Sequence, residues 1–221
     1  GFAAKSEGSI SSDALVYSQQ YITALNNFQQ TGVVVFSSGN HKDESDVGLM
    51  AGLPELYPEL AEAWVAVGVI DFTGSDMESA VESDFTLWGN KCGSAKEYCV
   101  VADGYEVNGA SYVSGSSHYY ALGGWGSSYS APMVSGGIAL LAQAFPNHTP
   151  EQLTDRLLAS ANNKWFTAEG ETTFTTHGNS VKHGFHSTWG QGIPDFYAAL
   201  SPILTSSNTS LSMYTGASIQ T

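Results

Sequence analysis

Three short apolar runs constrain the fold of this chain more than any other feature of its sequence. They are Val33–Phe36, Ala63–Ile70 and Tyr98–Ala102. Apolar runs of about four to eight residues, without the alternation of a half-exposed strand, are typical of strands buried on both faces of a parallel sheet. The first run follows a predicted helix over residues 11–31 and ends in the small residues Ser37–Asn40. This order predicts half of a parallel crossover unit and therefore an α/β fold.

The composition excludes two classes of partner. The chain has 21 acidic and 7 basic residues and a net charge of −14, so it is unsuited to neutralising nucleic-acid phosphates or to binding an anionic membrane surface. No apolar stretch approaches the roughly 20 residues of a membrane-spanning helix, which predicts no membrane insertion. With 42% apolar residues in 221, the chain can form one sizeable core.

Later segments predict further helices and one boundary. An apolar helix is expected from about Met133 to Phe145, where the pair Gly136–Gly137 predicts that other backbone packs closely against it. Thr149–Gln152 reads as a capping box that opens a second helix, and Phe196–Leu200 as a final short helix. Residues 1–200 then form the main domain, and the Ser- and Thr-rich residues 201–221 a tail or linker.

The two cysteines and the acidic loops bear on redox state and metals. Cys92 and Cys99 have no His or further Cys beside them, whereas a zinc site needs about four ligands. They form either a local disulfide, which indicates an oxidising, extracytoplasmic compartment, or two free thiols. No cofactor is predicted, although the acidic loops 43–46 and 76–84 offer oxygen ligands that could hold a structural calcium ion.

Two small-residue segments carry the predicted chemistry. Ser37–Asn40 ends a buried strand, where α/β active sites collect, and Gly126–Pro132 places Ser128 at the start of a helix. The free backbone N–H groups there could stabilise an oxyanion. The side-chain amide of Asn40 would supply a second donor to the same oxygen. The alternative is a flexible turn with an N-capping serine.

The order of several motifs resembles one enzyme family. Gly126–Pro132 with the following Val134–Gly136 resembles the nucleophile motif of the subtilases, the subtilisin-like serine proteases. Val33–Asn40 is similar to their strand ending in the oxyanion asparagine, and Trp189–Leu200 to their last turn and helix. Four further segments resemble the bacterial autotransporter branch of the family: Leu53–Glu55, Trp64–Gly68, Asn90–Gly93 and Tyr98–Cys99.

This resemblance implies a subtilisin-like α/β fold, with a mainly parallel sheet and helices on both faces. It makes Ser128 the nucleophile, Asn40 the oxyanion donor and Gly1 part of the strand that pairs with substrate. One wall of the substrate pocket is implied for Ser37, Ser38 and Gly39. The implied function is a serine endopeptidase, secreted or on the bacterial cell surface, that cleaves proteins or peptides.

Half of the expected catalytic machinery is missing from this chain. Subtilases present Asp, then His, then Ser along the sequence, but no His precedes Asn40 and the only earlier Asp is Asp13, inside the predicted helix. The chain therefore resembles the C-terminal part of a protease domain. The Asp and His are expected upstream of Gly1 or on a companion chain, with His118 the nearest rival for a base within this sequence.

Two alternatives remain at this point. One is a non-catalytic subtilase-fold binding module, a pseudoprotease, because only part of the machinery is present. The other is an α/β-hydrolase, whose elbow needs Gly-x-Ser-x-Gly. Ser130 occupies the last position of that pattern, and no predicted strand directly precedes Gly126.

Overall fold

The structure, a computed structural model, describes residues 19–112, 118–176 and 180–201. Within these ranges the helices are α1 (Gln19–Gln29), α2 (Ser127–Ala144), α3 (Pro150–Ala159) and α4 (Phe196–Leu200). The strands are β1 (Val34–Ser37), β2 (Trp64–Phe72), β3 (Phe85–Leu87), β4 (Cys99–Asp103), β5 (Val107–Tyr112), β6 (His118–Gly124), β7 (Gly170–Phe174) and β8 (Val181–Phe185). Gly1, the start of the first predicted helix and residues 202–221 of the predicted tail lie outside the described residues.

Strand β2 is the centre of the main sheet. It pairs in parallel with β1, where Val34 lies opposite Trp64, and with β4, where Ala66 lies opposite Cys99. The short β3 pairs antiparallel with the C-terminal end of β2. The first seven residues of β2 are buried, which confirms the prediction of a parallel sheet strand buried on both faces.

The prediction that the first strand is equally buried is wrong. In β1 only Val34 is buried, whereas Val35, Phe36 and Ser37 are half-buried. Within the described ranges β1 pairs with β2 alone, so its other edge carries no neighbouring strand. The apolar run predicts a strand at this position. The burial of its side chains also depends on a second neighbouring strand, which the described residues do not supply.

Helix α2 packs across β1, β2 and β4 and places its N-terminus at the carboxyl ends of these strands. Its inward face is buried, but Met133 and Leu140 on the other side are 46% and 63% exposed, so the helix is not buried all round. A Cβ at Gly137 would collide with the ring of Phe196, whereas one at Gly136 would meet nothing within 4 Å. The prediction that another backbone packs against the paired glycines is therefore wrong. The ring of Phe196 in α4 packs there instead, and only Gly137 must lack a side chain to make room for it.

The capping box before α3 is confirmed. Thr149 Oγ1 accepts from the N–H of Gln152 at 3.2 Å, and Gln152 Oε1 accepts from the N–H of Thr149 at 2.9 Å. Further along α3, the buried Arg156 donates through Nη1 to the carbonyls of Ala199 and Ser201. This guanidinium attaches the C-terminal end of α4 to the rest of the fold.

Two hairpins and one disulfide complete the fold. Strands β5 and β6 pair antiparallel and lead directly to Trp125 and Gly126, and β7 and β8 form a second hairpin. Cys92 and Cys99 form a disulfide, which confirms that prediction. None of the helices in the described part of the chain is long and apolar enough to cross a membrane.

Candidate active site

The candidate site lies where the carboxyl end of β1 meets the N-terminus of α2. The end of β4 fixes the start of that helix from a second direction. The N–H of Gly126 donates to the carbonyl of Gly104 at 2.9 Å, and Ser130 Oγ donates to the carbonyl of Ala102 at 2.9 Å. Gly104 has no room for a side chain, because a Cβ there would collide with Ser130 Oγ. The first turn of α2 is therefore held against the sheet.

Asn40 contacts this helix start through one end of its carboxamide. Asn40 Oδ1 accepts from the N–H of Ser127 at 2.8 Å and from Ser127 Oγ at 2.9 Å. Ser127 Oγ in turn accepts from the N–H of Gly39 at 3.2 Å. Because Oδ1 takes both bonds, the Nδ2 donor of Asn40 is left without a partner among the described residues. The structure thus brings Asn40 against the neighbour of Ser128, across 87 positions of sequence.

The three serines of the motif have different surroundings. Ser127 and Ser130 are buried at 1% and 0% exposure, and both use their hydroxyls in the contacts just given. Ser128 is exposed. Neither its hydroxyl nor its N–H bonds to any residue that the structure describes, and that N–H lies in the first turn of α2, where helix N–H groups lack intrahelical partners. Ser128 is therefore the exposed serine of this motif, and its role as nucleophile stays a prediction.

The proposed pocket wall is only partly open to solvent. Ser38 is fully buried and its Oγ donates to the carbonyl of Asn90 at 3.4 Å, so its hydroxyl is not exposed to solvent. Ser37 and Gly39 are half-buried. Gly39 has a φ of +116°, a conformation that favours glycine. Their part in substrate binding, like that of Gly1, stays a prediction.

No described histidine side chain hydrogen-bonds to Ser128. Three of the described rings have neighbours elsewhere: Gln191 for His183, Glu169 for His186 and Phe145 for His148. His41 lies in the loop after Asn40. The side chain of His118 and all of His177 lie outside what the structure describes, so the prediction that this chain lacks a base stays open for them.

Among the described residues, the pKa that is raised most belongs to Tyr98, at the opposite end of the sheet from the site. Tyr98 donates its hydroxyl to Glu55 at 3.0 Å, and burial together with that carboxylate raises the pKa of Tyr98. Tyr98 precedes β4, whereas Gly104, which contacts α2, follows it.

Among the described residues, no group of three or more His, Cys, Asp or Glu side chains could hold a metal ion, and calcium binding by the acidic loops stays a prediction.

The structure also reveals an aromatic cavity beside Asn40 that the sequence reasoning missed. The cavity measures about 440 Å³ and is lined by Asn40, Trp88 and Trp125 together with residues 41–44. Trp88 stacks on Tyr105 with ring centroids 4.3 Å apart. Trp125 directly precedes Gly126 and could have been noticed from the sequence. Trp88 lies in a segment without any motif and could not.

Comparison with known proteins places the chain in a family. Residues 4–192 match the family described as the Subtilase family. The chain belongs to the subtilase family. This subtilase chain is 29% identical over 131 residues to the serotype-specific antigen 1 of Mannheimia haemolytica, a match that covers 58% of the chain and 13% of the antigen. Membership of the subtilase family supports a function of the serine-protease type, while assignment to the autotransporter branch stays a prediction.

Solved structures confirm the subtilisin-like α/β fold. Fervidolysin from Fervidobacterium pennivorans, a keratinolytic enzyme related to subtilisin, superposes with a TM-score of 0.56 at 24% identity, covering 86% of this subtilase chain and 26% of fervidolysin. The prenylagaramide maturation protease PagA gives a TM-score of 0.53 at 19% identity, covering 82% of this chain and 53% of PagA. The chain thus spans about half or less of these relatives.

Proposed function

We propose that this chain is the C-terminal part of a serine endopeptidase domain that forms an acyl-enzyme on Ser128. One observation carries the proposal. Ser127 donates two hydrogen bonds to Asn40 Oδ1. Among the described residues, Asn40 Nδ2 and the N–H of Ser128 have no acceptor, and the hydroxyl of Ser128 is exposed. Two such donors beside a nucleophile are what an oxyanion hole requires.

The reaction follows from these groups. Ser128 Oγ attacks the scissile carbonyl carbon while a base takes the hydroxyl proton, since a serine hydroxyl is a weak nucleophile without one. The carbonyl oxygen becomes an oxyanion that accepts hydrogen bonds from Asn40 Nδ2 and the N–H of Ser128. When the tetrahedral intermediate collapses, the C–N bond breaks and the amine leaves with the proton from the base. Water then attacks the ester and releases the acid product.

The base and its orienting carboxylate are a His and an Asp supplied by an upstream segment or a companion chain. In the part of the chain that the structure describes, β1 pairs with β2 alone, and this supports the assignment. An apolar groove of about 660 Å³ runs along that edge between α1 and α2, and Phe28 at its rim is 51% exposed. Unpaired N–H and C=O groups on a strand edge are ready to pair with an added strand. A segment docked there would lie next to the strand that leads to Asn40.

We also propose that the protein acts outside the cytoplasm, either secreted or on the bacterial cell surface. The Cys92–Cys99 disulfide supports an oxidising compartment. The relative from Mannheimia haemolytica is described as a serotype-specific antigen, which agrees with a surface location. Proteins or peptides would be the substrates.

The test compares this chain alone with the chain rejoined to a segment that carries the Asp and His. Alone, it should neither hydrolyse peptides nor react appreciably with a fluorophosphonate; rejoined, it should do both, and Ser128→Ala should abolish both. In the rejoined enzyme, Asn40→Ala should lower kcat by about 10²–10³, the magnitude known for the corresponding donor of a subtilisin, while Asn163→Ala serves as a control.

One result would favour the non-catalytic alternative. A rejoined, folded protein that neither cleaves peptides nor labels at Ser128 would be a subtilase-fold binding module. The absence of a base bonded to Ser128 among the described residues is the observation that keeps this alternative in view. Labelling of the chain alone, lost in His118→Ala, would instead place the base within this sequence.

A further inference from the structure

We propose that Asn90 is a positioning residue for the proposed reaction, holding the turn that presents Asn40 to the start of α2. The inference rests on the proposed function, because it concerns the oxyanion donor of the same site. Asn90 holds the backbone next to Asn40 through its side chain and takes no part in the chemistry itself.

Asn90 bonds the backbone on both sides of Asn40. Asn90 Oδ1 accepts from the N–H of His41 at 2.9 Å, and the N–H of Asn90 donates to the carbonyl of Gly39 at 3.1 Å. The residue before Asn40 and the residue after it are therefore held by the same partner. Since Asn40 itself is exposed, this backbone attachment and the bonds to Ser127 determine where its side chain points.

The carboxamide of Asn90 is itself fixed at both ends. Its Nδ2 donates to the carbonyl of Asp46 at 2.9 Å, and the residue is only 6% exposed. The side chain thus needs an acceptor and a donor in a fixed orientation, which an amide provides. Gly39 is fitted to it, since a Cβ at Gly39 would lie 2.5 Å from Asn90 Oδ1.

The segment that carries Asn90 is anchored in turn. Cys92 is joined to Cys99 by the disulfide, and its N–H donates to the carbonyl of Thr188 at 3.2 Å. Ser94 donates through both its N–H, at 3.0 Å, and its Oγ, at 2.9 Å, to Asp46 Oδ1. Asn90 therefore links this anchored segment to the turn around Asn40.

The kinetic consequence follows from when the oxyanion forms. The hydrogen bond from Asn40 Nδ2 is strong only in the transition state, so misplacing it should lower kcat with little change in KM. A displacement of about 1 Å in a catalytic constellation can cost about a hundredfold in rate. A loss that reflected general destabilisation would instead track the fraction of folded protein.

The experiment uses Asn90→Ala and Asn90→Asp, with Asn163→Ala as the matched control. Asn163 also donates one side-chain amide bond, to the carbonyl of Gly184 at 2.8 Å, but in a different part of the fold. Asn90→Asp keeps the acceptor for His41 and loses the donor to Asp46. In the rejoined enzyme we expect kcat to fall about 10- to 100-fold in Asn90→Ala, by less in Asn90→Asp, and to stay unchanged in Asn163→Ala, with KM unchanged in all three.

A second readout needs no catalysis. In the 221-residue chain, amide hydrogen exchange of the Ser127 N–H, which Asn40 protects, should accelerate in Asn90→Ala and Asn90→Asp but not in Asn163→Ala. If the rejoined wild type is inactive, the proposed function fails, and this exchange still decides whether Asn90 positions Asn40. If Asn90→Ala does not fold, Asn90→Asp decides alone. Unchanged exchange and kcat in a folded Asn90 variant would overturn the inference, as would a rise in KM without a loss in kcat.

Discussion

At the scale of single residues, the candidate site assigns different tasks to chemically identical groups. Ser127 and Ser130 are buried and hydrogen-bonded, which leaves Ser128 as the exposed hydroxyl between them. The two ends of the Asn40 carboxamide also differ, since Oδ1 accepts from Ser127 and Nδ2 has no partner among the described residues. The reactivity proposed for this site thus depends on which polar atoms the fold has already used.

His148 lies in the turn between α2 and α3, and its titration should make the free energy of unfolding depend on pH. Burial, and then the nearby Arg156 cation, lower the pKa of His148 from its ordinary value of 6.5. The unfolded chain therefore takes up a proton first as the pH falls, so the free energy of unfolding should decrease from about pH 6.5 downward, towards the lowered pKa of the folded state. His148→Gln should remove this contribution.

Urea denaturation of the wild type and His148→Gln at several values between about pH 7.5 and pH 5 checks this, because the free energy of unfolding of the wild type should fall relative to that of the variant as the pH falls. A difference that stays constant over this range would mean that His148 is equally protonated in the folded and unfolded chains.

At the scale of elements, the sequence predicted the positions of helices and strands better than it predicted which residues pack against them. The apolar runs predicted β1, β2 and β4, and the capping box predicted α3, because both signals are local. The burial of β1 was predicted wrongly, since it depends on a neighbouring strand. The reason for the paired glycines in α2 was also wrong, because the partner, Phe196 of α4, lies far along the chain.

The two adjacent glycines of α2 allow a matched test of that packing. Gly136→Ala places its Cβ in open space and should stabilise the protein by about 0.5–1 kcal/mol through helix propensity. Gly137→Ala drives its Cβ into the ring of Phe196 and should destabilise it by about 1–3 kcal/mol. Chemical denaturation measures both, and equal effects of the two substitutions would contradict the packing of α4 on α2.

At the scale of the whole molecule, the site is assembled from three distant segments: the turn around Asn40, the segment from Asn90 to Ser94, and the start of α2. The first and third could be predicted, because each carries a motif that resembles the subtilases. Asn90–Gly93 also resembles a segment of that family, but the role of Asn90 could not be predicted, since its hydrogen bonds reach residues 44–49 positions away and leave no local pattern. The aromatic contact of Trp88 with Tyr105 escaped prediction for the same reason.

The disulfide ties this middle segment to the sheet, and its removal should be felt by the whole fold. Replacing both Cys92 and Cys99 by Ser should lower the free energy of unfolding by about 2–3 kcal/mol, the loop-closure value for so short a loop. Guanidinium denaturation of the wild type with and without reductant provides the check. Reductant should reproduce the loss in the wild type and leave the double variant unchanged, and a wild type that is indifferent to reductant would contradict the structural role of the bond.

Within the described ranges β1 pairs with β2 alone, and a strand edge without a neighbour has a consequence for handling the protein. A strand with unpaired backbone groups and apolar side chains beside it is a template for sheet growth between copies, and the groove next to it exposes more apolar surface, including Phe28. Prepared by itself, the chain should self-associate as its concentration rises. A segment that pairs with β1, as proposed above for the one that carries the Asp and His, should suppress this self-association.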